Sequence, residues 1–333
     1  MPISSDQRRA LGQFSSGIAT RIRMEQADVQ SVAWLELPQE WRDRVPDEDK
    51  ARRLLGWFKN EYFQWVNQPA CRHCQSPATK CTGTRSGITS QEIKGMVSVV
   101  EVYTCDECSM VTDFPRFNHP VTLFETRRGR CGEFANAFCA LAVASGFNTR
   151  YVVDLTDHVW AELLVDKRWV HCDPCENAYD TPLLYESGWN KQLSFCFAFE
   201  RAGKAVDVSR RYSRKWDGPM IVRRYKLCSV DLLHAVQRAR PAVLMESEQN
   251  EFSECVSQAT RLVQRIKPGE ELGRISGNRA WKQARGELGK APRSPPKGKI
   301  EFQTRYRALL AQGLTPNQAA AQALREELDR KKE

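Results

Sequence analysis

Apolar positions change their period several times along the chain. Leu11, Phe14, Ile18 and Ile22 recur at three- and four-residue steps, which predicts a short N-terminal helix. From Asp47 the pattern tightens: Leu54, Leu55, Phe58, Tyr62, Phe63, Trp65 and Val66 form the wide apolar stripe of a second helix, stopped by Pro69. Between Met96 and Val102, the residues Val97, Val99, Val100 and Val102 favour a strand. Cys131 to Ser145 is a small-residue helix closed by Gly146. Arg150 to Asp154, His158 to Val165, Trp169 to Asp173 and Leu193 to Phe199 then read as strands of a meander with charged turns. Helical spacing returns from Ser229 to about Ile266 and around Trp281 to Leu288. Lys290 to Lys299, with three prolines and four basic residues, reads as a linker, and Ile300 to Leu328 as two short helices broken at Gly313.

These elements divide the 333 residues into an N-terminal helical extension (1–50), a helix with a small lobe (51–120), a core of a helix against an antiparallel sheet (121–289), a basic Pro-rich linker (290–299) and a helical C-terminal extension (300–333). The fold class is α+β. With 41% hydrophobic and 27% charged residues the chain has material for a buried core, which excludes collagen, coiled-coil and mucin-like classes. The least polar stretch, Phe134 to Phe147, is interrupted by Asn136, Ser145 and Gly146 and falls short of the ~20 residues of a membrane span. Met1 to Ala10 carries Asp6, Arg8 and Arg9 with no apolar run behind them, so no secretory signal is expected, and an intracellular, cytoplasmic location follows. The net charge of +9 resides after residue 255, where 17 Lys and Arg face 8 Asp and Glu. Such a segment is either a solvated tail or an attractor of nucleic acid or an acidic surface.

Twelve cysteines in a reducing compartment point to metal ligation and catalysis rather than disulfides. Cys71 and Cys74 form one C-x-x-C, Cys105 and Cys108 another, with 30 residues between the inner pair. Two such knuckles close a tetrahedral zinc site with no open position, which is a structural rather than a catalytic arrangement. His73, Cys81 and His119 are competing ligands in the same stretch.

Cys131 opens a helix behind Arg127, Arg128 and Arg130, so its sulfur is expected at the positive end of a helix dipole among basic groups, a setting that favours thiolate. His158 begins a strand and Asp173 ends the next one. If those strands are antiparallel neighbours, Asp173 can orient the imidazole that deprotonates Cys131. Taken singly, each residue is as readily a core residue. Cys172 and Cys175 add another C-x-x-C beside Asp173 and read as core cysteines rather than a second metal site.

The stretch Arg127 to Cys139 (RRGRCGEFANAFC), with DHVW at Asp157 to Trp160, HCDP at His171 to Pro174, YESGW at Tyr185 to Trp189 and GRISGNRAWKQARGEL at Gly273 to Leu288, resembles the cytoplasmic peptide:N-glycanase family. The upstream cysteine pairs and FPRFN at Phe114 to Asn118 fit as well, so that the resemblance spans Leu54 to Gly289. That family belongs to the transglutaminase-like superfamily of papain-type thiol hydrolases.

The resemblance implies a transglutaminase-like core and hydrolysis of the amide between N-acetylglucosamine and asparagine, converting Asn to Asp on misfolded glycoproteins during ER-associated degradation. It implies Cys131 as nucleophile, His158 as base and then acid, Asp173 as orienting group, one structural zinc on Cys71, Cys74, Cys105 and Cys108, and sugar contacts from Glu162, Glu176 and Trp189. Through helices flanking the core it also implies docking of a ubiquitin-receptor shuttle protein linked to the proteasome. Leu11 to Ile22 and the C-terminal pair are the candidates, and packing on their own core is the alternative. No nucleic-acid partner is expected, and the location is cytoplasmic and also nuclear. The rival functions are another thiol acyl transferase or protease on the same triad, and a noncatalytic degradation scaffold.

Overall fold

The computed structural model describes residues 4–229 except 43, then 231, 232, 234 and 235, and positions 305, 308, 309, 312, 314, 322 and 326. The helices expected beyond Ser229, the linker and the C-terminal helix pair therefore lie outside the described residues, apart from those isolated positions. Among the described residues no helix is long and apolar enough to cross a membrane.

Helix α1 (Ser5–Arg23) begins with a reciprocal cap, the Ser4 hydroxyl accepting the Gln7 N–H at 3.2 Å and the Gln7 side chain accepting the Ser4 N–H at 3.0 Å. Its apolar stripe does not wait for a partner. Phe14 is fully buried, with edge-on contacts to Phe197 (5.0 Å) and Phe199 (5.3 Å) of the central sheet. At Gly17 an added Cβ would lie 2.2 Å from the Phe199 ring, so glycine there is what lets the helix sit so close. The buried Arg21 donates from Nε to the Thr149 carbonyl at 3.1 Å. Of the two readings of Leu11 to Ile22, packing on its own core describes Phe14, which covers the sheet, while Ile22 at the end of the stripe is exposed.

Helix α2 (Ala27–Glu36) follows, and α3 (Glu48–Trp57) starts at Asp47, whose carboxylate accepts the Lys50 N–H at 2.6 Å. The aromatic run after it does not continue as a helix to Pro69. It widens into a five-residue turn at Phe58–Tyr62, closed by the Phe63 N–H on the Phe58 carbonyl (2.9 Å). Gln64–Trp65 then pairs in parallel with Arg128–Gly129, so tertiary pairing overrides the helical spacing.

The lobe that follows is a three-stranded antiparallel sheet of β1 (Thr79–Arg85), β2 (Val100–Cys105) and β3 (Val111–Pro115) in that order. Strand β2 starts later than the valines suggested: Met96 adopts a left-handed conformation (φ 55°) and the Val97 N–H turns back to the Glu92 carbonyl at 2.9 Å instead of joining the ladder. Before it stands a helix, Ser90–Lys94, that the sequence pattern did not signal.

After α4 (Pro120–Thr126) comes α5 (Cys131–Ala144), buried along nearly its whole length and ended by Gly146 at φ 94°. The central sheet consists of β4 (Thr149–Asp154), β5 (His158–Val165), β6 (Arg168–Asp173), β7 (Ala178–Tyr179), β8 (Cys196–Phe199) and β9 (Ala205–Asp207), all antiparallel in the order β9-β8-β4-β5-β6-β7. Alternation along β5 and β6 makes two cores. Ala161, Leu163, Val170 and Cys172 face the same core as α5, whereas Trp160 packs with Tyr185, Trp189 and Tyr212 in a second one. Helix α6 (Gly218–Leu227), capped by Asp217, was not anticipated from the sequence.

If α1 is part of the core, Phe14→Ala should destabilise the protein by about 3–5 kcal/mol, the usual cost of emptying a buried aromatic site. Urea unfolding would read this as a lower midpoint at unchanged slope, and an unchanged midpoint would mean that α1 is only an appended helix.

Candidate active site and metal centre

Cys131 begins α5 and is half-buried, with Arg130 as the N-cap residue. His158 is the first residue of β5 and Asp173 the last of β6, and the pairing of Ala161 with Cys172 brings those strand ends side by side. The His158 Nε2–H donates to Asp173 Oδ2 at 2.8 Å, which leaves Nδ1 as the ring nitrogen for the thiol. Burial alone would push the His158 imidazole down, but the Asp173 carboxylate and the hydrogen bond and charge of Cys131 outweigh it and raise it to about 10. Cys131 is thus near enough to act on the His158 imidazole. The structure therefore brings together the three residues that spacing and resemblance selected.

Asp173 is fully buried and every donor around it is used. Beyond His158, its Oδ2 accepts the Tyr185 hydroxyl at 2.9 Å, and Oδ1 accepts the Cys175 N–H at 2.8 Å. Tyr185 Oη in turn lies 2.7 Å from His171 Nε2, while His171 Nδ1 accepts the Thr181 N–H at 3.3 Å. Burial holds the His171 imidazole down to about 4, so it is neutral, donates from Nε2 to the Tyr185 oxygen and leaves the tyrosine proton for Asp173. Burial also opposes the charge on Asp173, yet His158 and these hydrogen bonds bring its carboxyl down to about 2.

Sequence reasoning quoted His171 and Tyr185 inside motifs but gave them no role. The available signal was that His171 shares a strand face with Asp173, two residues away. Cys172 and Cys175 are core residues with thiols pushed well up by burial, and Cys175 contributes its backbone N–H to Asp173.

The basic setting expected for Cys131 is corrected in its composition. Arg127 turns to Glu36 (2.7 Å) and the Tyr62 ring, and Arg130 points its guanidinium into the lobe, toward both oxygens of Glu101 (2.7 and 2.8 Å) and Tyr103 Oη (2.8 Å). Arg116 is the cation whose charge couples to Cys131. It also holds Glu133 at 2.5 and 2.8 Å and Glu101 at 3.0 Å. None of Glu101, Arg116 and Glu133 was singled out from the sequence.

The three expected sugar-contacting residues are all buried. Glu162 is 0% exposed and its oxygens are taken by Tyr212 Oη (2.5 Å), Arg211 Nε (3.2 Å) and Arg150 Nη1 (3.4 Å). It neutralises core arginines and is not an open acceptor for a sugar hydroxyl. Trp189 is 4% exposed and meets His158 edge-on at 4.9 Å and Tyr185 at 5.1 Å, so it walls the imidazole rather than offering a free flat face. Glu176 lies one residue beyond Cys175 and is also buried. An open groove of ≈ 530 Å³ is lined among others by Trp65, Asn67, Gln68 and Arg128; Arg128 stands three positions before Cys131 in sequence, while Cys131, His158 and Asp173 are not in its lining.

In the lobe, the sulfurs of Cys71, Cys74, Cys105 and Cys108 all lie within 4.8 Å of one another, with Cys71 to Cys108 and Cys74 to Cys105 each at 3.5 Å. Four thiolates about 2.3 Å from one ion in a tetrahedron would stand about 3.8 Å apart, so the donor set fits a closed metal site. The two knuckles are alike. In each, the residue after the second cysteine adopts a left-handed conformation (Gln75 φ 61°, Ser109 φ 58°) and returns its N–H to the carbonyl of the first (3.0 Å). His73, Cys81 and His119 stand outside this cluster.

The family description "Transglutaminase-like superfamily" matches residues 78–174, and "Rad4 transglutaminase-like domain" matches residues 148–251. Among curated relatives, the peptide-N(4)-(N-acetyl-beta-glucosaminyl)asparagine amidase of Homo sapiens is 43% identical over 257 residues, 74% of this chain and 38% of the relative. The protein of the same name from Gallus gallus is 42% identical over 250 residues, 72% of this chain and 38% of the relative. That of Caenorhabditis briggsae is 36% identical over 322 residues, 90% of this chain and 52% of the relative. The chain thus spans between about a third and a half of the length of these relatives. A solved structure concerned with DNA duplex opening by the Rad4/XPC nucleotide excision repair complex shares the fold at TM-score 0.50 and 11% identity, over 76% of this chain and 60% of that one. The chain carries a transglutaminase-like domain and belongs among the homologues of the peptide-N(4)-(N-acetyl-beta-glucosaminyl)asparagine amidases.

Proposed function

We propose that the chain hydrolyses the amide linking N-acetylglucosamine to asparagine in glycoproteins, with Cys131, His158 and Asp173 as its catalytic triad. The observation that carries this reading is the hydrogen bond of His158 to the buried Asp173, with Cys131 near enough to act on the same ring, in a chain whose relatives bear that amidase name. The Cys131 thiolate attacks the side-chain carbonyl carbon, and the backbone N–H groups at the start of α5 are suited to the developing oxyanion. His158 then gives its proton to the leaving glycosylamine nitrogen as the carbon–nitrogen bond breaks and a thioester remains. Water, deprotonated by His158, attacks the thioester, expels the thiolate and leaves aspartate in place of asparagine. Asp173 keeps the ring oriented and its charge stabilises the imidazolium.

The four-cysteine site is read as structural zinc, since four thiolates and no open position suit that ion and leave no place for substrate. Glu162, Glu176 and Trp189 stay the proposed sugar-contacting residues, all three buried, and the groove beside Arg128 is a place for the rest of the substrate. Misfolded glycoproteins in ER-associated degradation are the substrates this reading favours, because an amide on a side chain must be freed from local structure to reach a half-buried thiol. The many thiols suit a reducing compartment, cytoplasm or nucleus. A ubiquitin-receptor shuttle protein remains the proposed partner, although Phe14 of α1 covers the sheet.

Cys131→Ala should lower kcat on a denatured glycopeptide by about four orders of magnitude or more with little change in thermal transition, since the triad acts as one unit. Mass spectrometry of the Asn-to-Asp change decides it, and near wild-type turnover would sink the mechanism.

Asp173→Asn removes the charge that raises His158 while burial, which lowers it, stays. The imidazolium should then be lost at lower pH, and the alkaline limb of kcat/KM should move acidward by about one to three pH units. A limb that stays in place would show that another group sets it.

Cys105→Ser should lose about one equivalent of zinc and lower the thermal transition, because metal binding there is folding free energy. Metal analysis of the folded protein finding no zinc in the wild type would refute the assignment.

A further inference from the structure

Arg130, 1% exposed, is the N-cap residue of α5, so its backbone fixes where Cys131 starts. A guanidinium cut off from water must find protein acceptors. Arg130 finds acceptors on the extended stretch after α3 (Val66 and Asn67 carbonyls, both 3.0 Å) and on strand β2 of the four-cysteine lobe (Glu101 and Tyr103). Glu101 also takes Arg116 at 3.0 Å, and Arg116 grips both oxygens of Glu133. The ring closes where Glu133 Oε2 accepts the backbone N–H of Arg130 at 3.0 Å. Cys131 lies between Arg130 and Glu133. There is no slack in this turn, since a Cβ on Gly129 would stand 2.4 Å from that of Glu133. Four residues beyond Glu101 the same strand ends in Cys105, a member of the metal cluster.

We propose that Glu101 and Arg130 are positioning residues through which the four-cysteine lobe sets the placement of the Cys131 thiol. Without the Glu101 charge, Arg130 and Arg116 lose the carboxylate they share, so the first turn of α5 can shift. A displacement of about 1 Å at a nucleophile is enough to cost about a hundredfold in rate. The lobe is therefore a working part of the site rather than an accessory domain. The inference rests on the reading of Cys131 as the nucleophile, and its test does not depend on the substrate.

The experiment compares metal-loaded wild type, Glu101→Gln and Arg130→Lys by site-resolved alkylation of Cys131 with iodoacetamide over a pH series, beside kcat and KM on a glycopeptide. Cys81→Ser, an exposed position of the same lobe, is the control. Glu101→Gln should slow Cys131 alkylation about tenfold and change its pH profile, and lower kcat at least as much with KM within about twofold, at unchanged metal content. Arg130→Lys, which keeps the charge but loses the fork, should act in the same direction, and carries the test should Glu101→Gln not fold. Wild-type alkylation profiles in whichever of these two variants folds would overturn the proposal. So would faster alkylation of all buried cysteines together, the mark of general loosening. Glu101-dependent reactivity of Cys131 in a wild type that cleaves no glycopeptide would uphold the positioning and refute the amidase reading instead.

Discussion

Asp173 carries its charge with no solvent exposure, and an isolated carboxylate moved out of water costs more than a domain's whole stability margin. The charge persists because three donors converge on it: the His158 ring, the Tyr185 hydroxyl and the Cys175 backbone N–H. Each donor comes from a different stretch of chain, so the needs of one side chain dictate several features of the fold. Strands β5 and β6 must hold their register, because a slip of one residue would turn His158 to the opposite face. The segment carrying Tyr185 must fold back over the sheet. The neutral His171 must give Tyr185 a proton, so that the phenol has its own left for Asp173.

The surroundings of that carboxylate explain why the aromatic residues cluster where they do. Trp160 stacks on Tyr185 at 4.3 Å, and Trp189 closes on the His158 ring. Excluding water lowers the local dielectric and strengthens the bond between His158 and Asp173, provided every polar group inside is satisfied. Trp189 thereby serves the imidazole from the side, a use that differs from stacking on a sugar. Glu162 follows the same logic. Two arginines reach the same interior, Arg150 from β4 and Arg211 from the turn after β9, and a buried carboxylate between them is what makes their presence tolerable.

Legibility in the sequence followed distance along the chain. The knuckles, α5 and the strands from β4 to β6 were readable because each depends on local spacing: cysteines two apart, a small-residue run ended by glycine, alternation of apolar residues. The proposed triad was readable because its members sit at element ends, and the strands of His158 and Asp173 pair in the simplest antiparallel way. What escaped depends on contacts between remote segments. Phe58 to Val66 has helical spacing, yet Trp65 is drawn into pairing with Gly129. Leu11 to Ile22 has the stripe of a docking helix, and nothing in that stripe says whether its cover is a partner or, as found for Phe14, Phe197 and Phe199. Glu101 and Arg116 looked like ordinary surface charges among 41 acidic and 50 basic residues, and only the tertiary structure shows that they meet beside the first turn of α5.

Helix α5 is nearly all buried, so its polar ends are a liability that apolar packing cannot settle. At its C-terminus, the buried Lys50 reaches across from α3 and donates from Nζ to the Ser145 carbonyl at 2.6 Å, a cation at the negative end of the helix dipole. At its N-terminus the carboxylate of Glu133 is the matching anion, and Arg116 compensates it in turn. The two cations belong to elements outside α5: Lys50 to α3, Arg116 to the chain leaving the lobe. A helix held in this way cannot slide along its axis without breaking a buried charge contact at one end or the other. The thiol at its first residue therefore inherits a fixed position from two distant parts of the sequence, and this is the constraint under which a half-exposed cysteine and a strand-end histidine stay within reach of one another.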